Sequence, residues 1–210
     1  MSTRIGGVTQ SSWSVREARE RSDTDRHRAL LDAAARVFDA RGYDNTTVAD
    51  ITAEAGVSRA TLYVYFASKD EIFLALAIRT RDSFLAAQEP ELPDDDPRTM
   101  LRATFESVAA AVLAAGPLLR LIDERGAVDA RVATIAAEIT DRPIRRFTRY
   151  LDRETRAGRV RPVASAHVIA ETLSYAITYG MLSRRESDPR TRATYLDELG
   201  NMADKLLGLD

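Results

Sequence analysis

Apolar residues recur at three and four positions along most of the chain, and almost nowhere at two. Between Asp25 and Gly42 the run Leu30, Leu31, Ala34, Ala35, Val37, Phe38 forms one broad stripe, which predicts an amphipathic helix. Val48, Ile51 and Ala55 repeat the spacing, and so do Leu62 and Phe66. Helical patterning continues over Glu71–Ala87. The segment Glu89–Pro97, EPELPDDDP, holds three prolines and five acids and predicts a loop. Beyond it the pattern predicts helices over Met100–Ala115, Pro117–Arg125, Asp129–Ala157, from Ser165 to about Arg185, and over Pro189–Leu207. Pro143 is expected to kink or split the long Asp129–Ala157 element. No segment reads as a convincing strand. The fold class is all-α, with about nine helices.

The shortest two helices are the most informative. Thr47 is a good N-cap, and Asp50 sits in the first turn behind it, where its charge suits the helix dipole. Gly56 can take the left-handed conformation that ends this helix, Val57 pins the turn, and Ser58 caps the next helix. Leu62 and Phe66 then face inward. Arg59, Ala60, Thr61, Tyr63, Val64 and Tyr65 are left on or near the outer face. Two short helices with a tight turn and a small, polar and aromatic outer face read as a helix-turn-helix over residues 47–66. Arg59 can bridge guanine O6 and N7, Thr61 can hydrogen-bond several bases, and Val64 can touch a thymine methyl. Tyr63, Tyr65 and Lys69 carry groups that suit phosphate oxygens.

The stretch LLDAAARVFDARGYDNTTVADITAEAGVSRATLYVYFASKDEIFLAL, Leu30–Leu76, resembles the N-terminal domain of the TetR family of bacterial transcriptional regulators; GVSRATLYVYFASKDEI is its most specific part. The resemblance implies a homodimeric, all-helical repressor with a C-terminal effector-binding domain. It implies phosphate contacts at Thr47, Ser58, Tyr63, Tyr65 and Lys69, and base-facing positions at Arg59, Ala60, Thr61 and Val64. Ala60 stands where the family often has Gly, and Val64 where aromatic or polar residues are common, so operator preference is not inherited from a relative.

Domain organisation follows: a flexible arm over 1–24, a three-helix DNA-binding domain over 25–70, and an effector-binding and dimerisation domain over 71–210. The arm carries Arg4, Arg16, Arg19 and Arg21 against Glu17, Glu20 and Asp23. It is either a disordered leader or a basic arm that adds DNA contacts. The whole chain has a formal net charge of −2. Asp25–Ile72 holds six basic and eight acidic side chains, so strong non-specific DNA binding is not expected from the head. Specific binding needs only a few placed cations and backbone donors.

Other chemistry is thin. The chain has no cysteine and only two histidines, His27 and His167. It shows no phosphate-cradling glycine loop, H-E-x-x-H or G-x-S-x-G. No enzyme activity, cofactor or metal is expected. No run of eighteen apolar residues exists, so no membrane span is expected, and a cytoplasmic location suits the absence of thiols. A helical protein-binding adaptor using the same outer face is the alternative reading, and an enzyme ranks below it.

The helix over Ala166–Leu182 leaves little of its circumference polar, and the last helix carries two apolar rows. Both are expected to pack against a symmetry mate, through Ile177, Met181, Tyr195, Leu199, Met202 and Leu206. Two heads about one DNA turn apart would then read a palindrome. For the effector, the resemblance implies a cavity among the middle helices. Phe105, Leu119, Ile122, Phe147, Tyr150, Leu173 and Tyr175 are its expected walls, with Val108, Ile139 and Leu151 beside them. Arg120, Asp123, His167 and Glu171 are the polar candidates. The helix beginning near Glu71 is the expected lever between the two domains.

Overall fold

The computed structural model describes residues 9–87 and 96–209, and among these it is all helical. The order is α1 (Thr9–Arg41), α2 (Val48–Ala55), α3 (Arg59–Tyr65), α4 (Lys69–Ala86), α5 (Pro97–Ala115), α6 (Leu118–Gly126), α7 (Ala130–Arg156), α8 (Ala166–Ser183) and α9 (Pro189–Leu207). Among the described residues no single helix is long and apolar enough to cross a membrane.

Two differences from the sequence reading stand out. α1 begins at Thr9 instead of Asp25 and takes in most of the segment expected to be an arm. That segment has no apolar stripe, but its run Arg16, Glu17, Ala18, Arg19, Glu20, Arg21 consists of good helix formers, which favour helix without any amphipathic signal. Residues 1–8 of the arm lie outside the described residues, as does most of the Glu89–Pro97 loop. Pro143 lies inside α7, which runs through it as one element, so of the two outcomes expected there the split does not occur.

The chain divides into two compact units between Leu76 and Ala77, inside α4. In the first, Leu30, Ala34, Phe38, Ile51, Leu62, Ile72 and Phe73 form the core and are almost wholly excluded from water. Phe38, Tyr43 and Phe73 make a three-ring cluster with centroids 5.0–5.6 Å apart, which ties the end of α1 to the start of α4. Gly42, at φ +74°, turns the chain out of α1. Thr46, buried behind it, donates its hydroxyl back to the Gly42 carbonyl at 2.7 Å.

In the second unit α8 packs against α5, α7 and α9, and α6 packs against α7. Leu101, Val112, Leu151, Ile169, Leu173 and Met181 fill the space between them. Asp96, Asp129, Ser165 and Asp188 cap α5, α7, α8 and α9 through backbone N–H groups. Gly180 lets α9 approach α8. The Tyr195 ring lies where a Cβ on residue 180 would be, and its hydroxyl donates to the Ala176 carbonyl at 2.6 Å. Arg102 likewise covers Gly200 and reaches Asp204 at 2.8 Å.

Candidate DNA-reading face and apolar cavity

The helix-turn-helix is built by local capping. Thr47 and Asp50 form a reciprocal capping box: the Thr47 hydroxyl accepts from the Asp50 N–H, and the Asp50 carboxylate accepts from the Thr47 N–H at 2.9 Å. The Thr47 hydroxyl also donates to the Asp50 carboxylate at 2.7 Å, and this bond first, then that from the Thr47 N–H and the Arg41 charge, holds the Asp50 carboxyl below its ordinary pKa. Gly56 ends α2 in the left-handed region, at φ 66°. Ser58 then caps α3, its Oγ accepting from the Thr61 N–H at 3.1 Å. Arg36–Glu54 and Arg41–Asp50 join α1 to α2; as largely exposed pairs they fix geometry more than they add stability.

α3 buries Leu62 and turns the rest outward. Arg59, Ala60, Tyr63 and Val64 share one exposed face, at i, i+1, i+4 and i+5. Val64 is 78% exposed and Tyr63 54%. Arg59 forms no hydrogen bond or ion pair among the described residues. Thr61 and Tyr65 lie on the flanks. The Thr61 hydroxyl is 2.9 Å from that of Ser58, and the Tyr65 ring packs edge-on against His27. Lys69, at the start of α4, donates to the Tyr43 carbonyl at 2.9 Å and sits over the Tyr43 ring. One of its three N–H groups is therefore occupied within the head. The neighbouring Asp70 accepts from the Tyr43 hydroxyl. Thr47 and Ser58 are exposed, but their hydroxyls serve as caps first.

The second unit holds a partly open cavity of about 130 Å³, roughly ten times what one water requires. Phe84, Phe105, Val108, Leu119, Ile122, Ile139, Ile144, Phe147 and Leu173 give it apolar walls, and Arg120, Asp123, Tyr175 and Tyr179 also line it. Tyr175 and Tyr179 stack at 5.9 Å. Tyr179 is half exposed, and partial desolvation beside the cavity, with the Asp123 charge second, raises its hydroxyl above the ordinary pKa.

Of the expected walls, Tyr150 and Leu151 do not line the cavity. Leu151 is in the core, and Tyr150 stacks on Phe147 and receives Arg153 over its ring. His167 and Glu171 stand apart from it as well. Sequence reasoning missed Phe84, Pro143, Ile144 and Tyr179. Ile144 and Phe147 lie on one side of α7, and Ser174, Thr178 and Tyr179 continue the Tyr175 side of α8, so helical spacing carried that signal. Phe84 lies in a helix with little amphipathic contrast and had none.

Three residues expected at a partner surface are buried inside the protomer instead: Ile177 (which lines the cavity), Met181 and Leu199. Tyr195 is half-buried between α8 and α9. α8 was read correctly as apolar all round, but α5, α7 and α9 account for most of that surface. Val168, Tyr175 and Tyr179, at i, i+7 and i+11 of α8, remain exposed together with Met202 of α9.

Comparison with known proteins agrees with this architecture. Residues 30–76 match the family model for bacterial regulatory proteins of the tetR family. The chain is 32% identical to the HTH-type transcriptional repressor Rv1474c of Mycobacterium tuberculosis over 180 residues, covering 84% of this chain and 91% of the relative. A TetR-like transcriptional regulator from Rhodococcus sp. RHA1 is similar in structure, with a TM-score of 0.66 and 26% identity over 85% of this chain and 93% of that one. Salmonella enterica GusR shares the fold with a TM-score of 0.70 at 22% identity, over 88% and 96% of the two chains. A helix-turn-helix with a complete capping box, joined to a helical second unit and matched over nearly its whole length by a regulator, leaves one assignment: the chain belongs to the tetR family of bacterial transcriptional regulators and is not one of the enzymes.

Proposed function

We infer that the chain represses transcription as a homodimer, reads a palindromic operator with α3, and is released by a small molecule bound in the second unit. The observation that carries this reading is the outer face of α3. Arg59, Ala60, Tyr63 and Val64 project together, with a valine and a tyrosine largely in water and nothing among the described residues to cover them. In this reading Arg59, Ala60, Thr61 and Val64 face bases. Thr47, Ser58, Tyr63, Tyr65 and the remaining N–H groups of Lys69 hold phosphates. The name of the Mycobacterium tuberculosis relative supports repression over activation. An operator-binding regulator works where the DNA is, which supports a cytoplasmic location.

The exposed row Val168, Tyr175, Tyr179 and Met202 supports a two-fold interface on α8 and α9. The apolar cavity supports an effector with a sizeable apolar body. α4 supplies the lever. Its end in the second unit lines the cavity through Phe84 and is tied to α7 by Arg81–Glu138 at 2.8 Å. Its start in the first unit is tied to Tyr43 by Lys69 and Asp70. A ligand that favours one position of α4 shifts the population of heads competent for DNA, by its differential affinity and no more.

Selection from random duplex DNA tests the reading. A repressor of this kind enriches a palindrome and shifts it as a dimer. A helical adaptor enriches nothing at any salt concentration.

A further inference from the structure

One charged feature belongs to neither site. Arg142, Arg145, Arg146 and Arg149 stand at i, i+3, i+4 and i+7 on α7, so all four project from one side of the helix. With Leu85, Pro143, Thr148 and His167 they line an open groove of about 510 Å³, and among the described residues no carboxylate lines it. Arg145 approaches Asp141 only at 3.6 Å, both being exposed. Arg142 and Arg149 form no ion pair among the described residues. Arg146 has a partner of its own, so Arg142 and Arg149 are the two guanidinium groups offered to the groove.

The groove adjoins the apolar cavity. Pro143 lines both, and the neighbouring residues Phe84 and Leu85 of α4 line one each. We propose that the Arg142–Arg149 groove holds the anionic head of an amphipathic effector, a phosphate monoester in type, whose apolar body lies in the cavity. This rests on the reading of the cavity as the effector site. Guanidinium forks suit phosphate oxygens bidentately, and one dianion can be shared by Arg142 and Arg149, which line the same groove. Anchoring the ligand on both sides of Pro143, beside Phe84 and Leu85, also sets it against the end of α4.

Calorimetric titration of the full chain with decyl phosphate, decanol and inorganic phosphate, all below micelle-forming concentration, tests this. Decyl phosphate binds at least about tenfold more tightly than decanol, the scale of a hydrogen bond to a charged group. The double variant Arg142→Gln/Arg149→Gln, both positions exposed, removes that margin and leaves decanol binding unchanged. Ile139→Trp, in the cavity wall, weakens decanol and decyl phosphate together. Equal affinity for decyl phosphate and decanol overturns the proposal, and so does a margin that survives the double variant. Decyl phosphate binding no tighter than inorganic phosphate also overturns it, because the groove is then a separate anion site. Decanol that binds without any phosphate margin leaves the cavity standing as an apolar effector site. If neither decyl compound binds, the proposal and the cavity reading fall together.

Discussion

Thr47 and Glu154 show two ways in which a single side chain fixes a local shape. The Thr47 hydroxyl satisfies an otherwise unpaired N–H at the start of α2, so Thr47→Ala is expected to cost about 1 kcal/mol of head stability in denaturant unfolding. Glu154 is buried between Arg159 and Arg153, whose hydrogen bonds hold its carboxyl below the ordinary glutamate pKa. A carboxyl with a depressed folded-state pKa adds stability that is complete above its unfolded pKa and fades as pH falls through the folded value. Glu154→Gln is therefore expected to destabilise by about 1–3 kcal/mol at neutral pH, with both arginines still hydrated. The gap between variant and wild type should close in strongly acidic solution. A gap unchanged down to pH ~2, well below the model-peptide range, would show that the charge of Glu154 is not what matters. Capping residues such as Thr47 and Ser58 were legible in sequence because their partners lie three residues away. The Glu154 cluster was not, because nothing in the spacing of Arg153 and Arg159 reveals that the carboxylate between them is buried.

At the scale of elements, α3 was legible and α8 only half so. Leu62 and Phe66 defined the inner side of α3, and the caps on both sides fixed its ends. For α8 the apolar circumference announced burial on several sides but did not say against what. The protomer's own α5, α7 and α9 claim Ile177 and Met181, and Val168, Tyr175 and Tyr179 are what remains. Tyr150 misled for a similar reason: an aromatic one position from Leu151 looks like wall, but α7 turns it out of the cavity. The α8–α9 contact gives a direct test of packing. A methyl group at residue 180 would stand 1.9 Å from the Tyr195 hydroxyl oxygen. Gly180→Ala is expected to lower stability by about 1–3 kcal/mol, the usual scale of overpacking, and to disturb dimerisation more than head folding. A variant as stable as wild type would mean that α9 moves away from α8 at little cost.

Whole-molecule behaviour follows from charge and symmetry. The head is acidic in balance, and two of its arginines already pair with α2. Arg28 pairs with Asp25 and Arg26 lies outside the motif, so Arg59 and Lys69 are the cations at the reading helix, and a dimer using these alone should show a log–log salt slope of about −4, near 0.9 per neutralised phosphate. A slope twice as steep would bring in other cations, those of residues 1–24 first, and deleting that segment would then flatten it. Sedimentation should show a dimer at micromolar concentration; a stable monomer would remove the paired heads that a palindrome requires. The central claim is that α3 divides its work between bases and phosphates. Its most direct test is the affinity of wild type, Arg59→Ala and Tyr63→Ala for a panel of operators carrying every single-base substitution. The account predicts that Tyr63→Ala weakens all sequences alike, while Arg59→Ala loses discrimination at one position of each half-site. Equal loss across the panel for Arg59→Ala would contradict it.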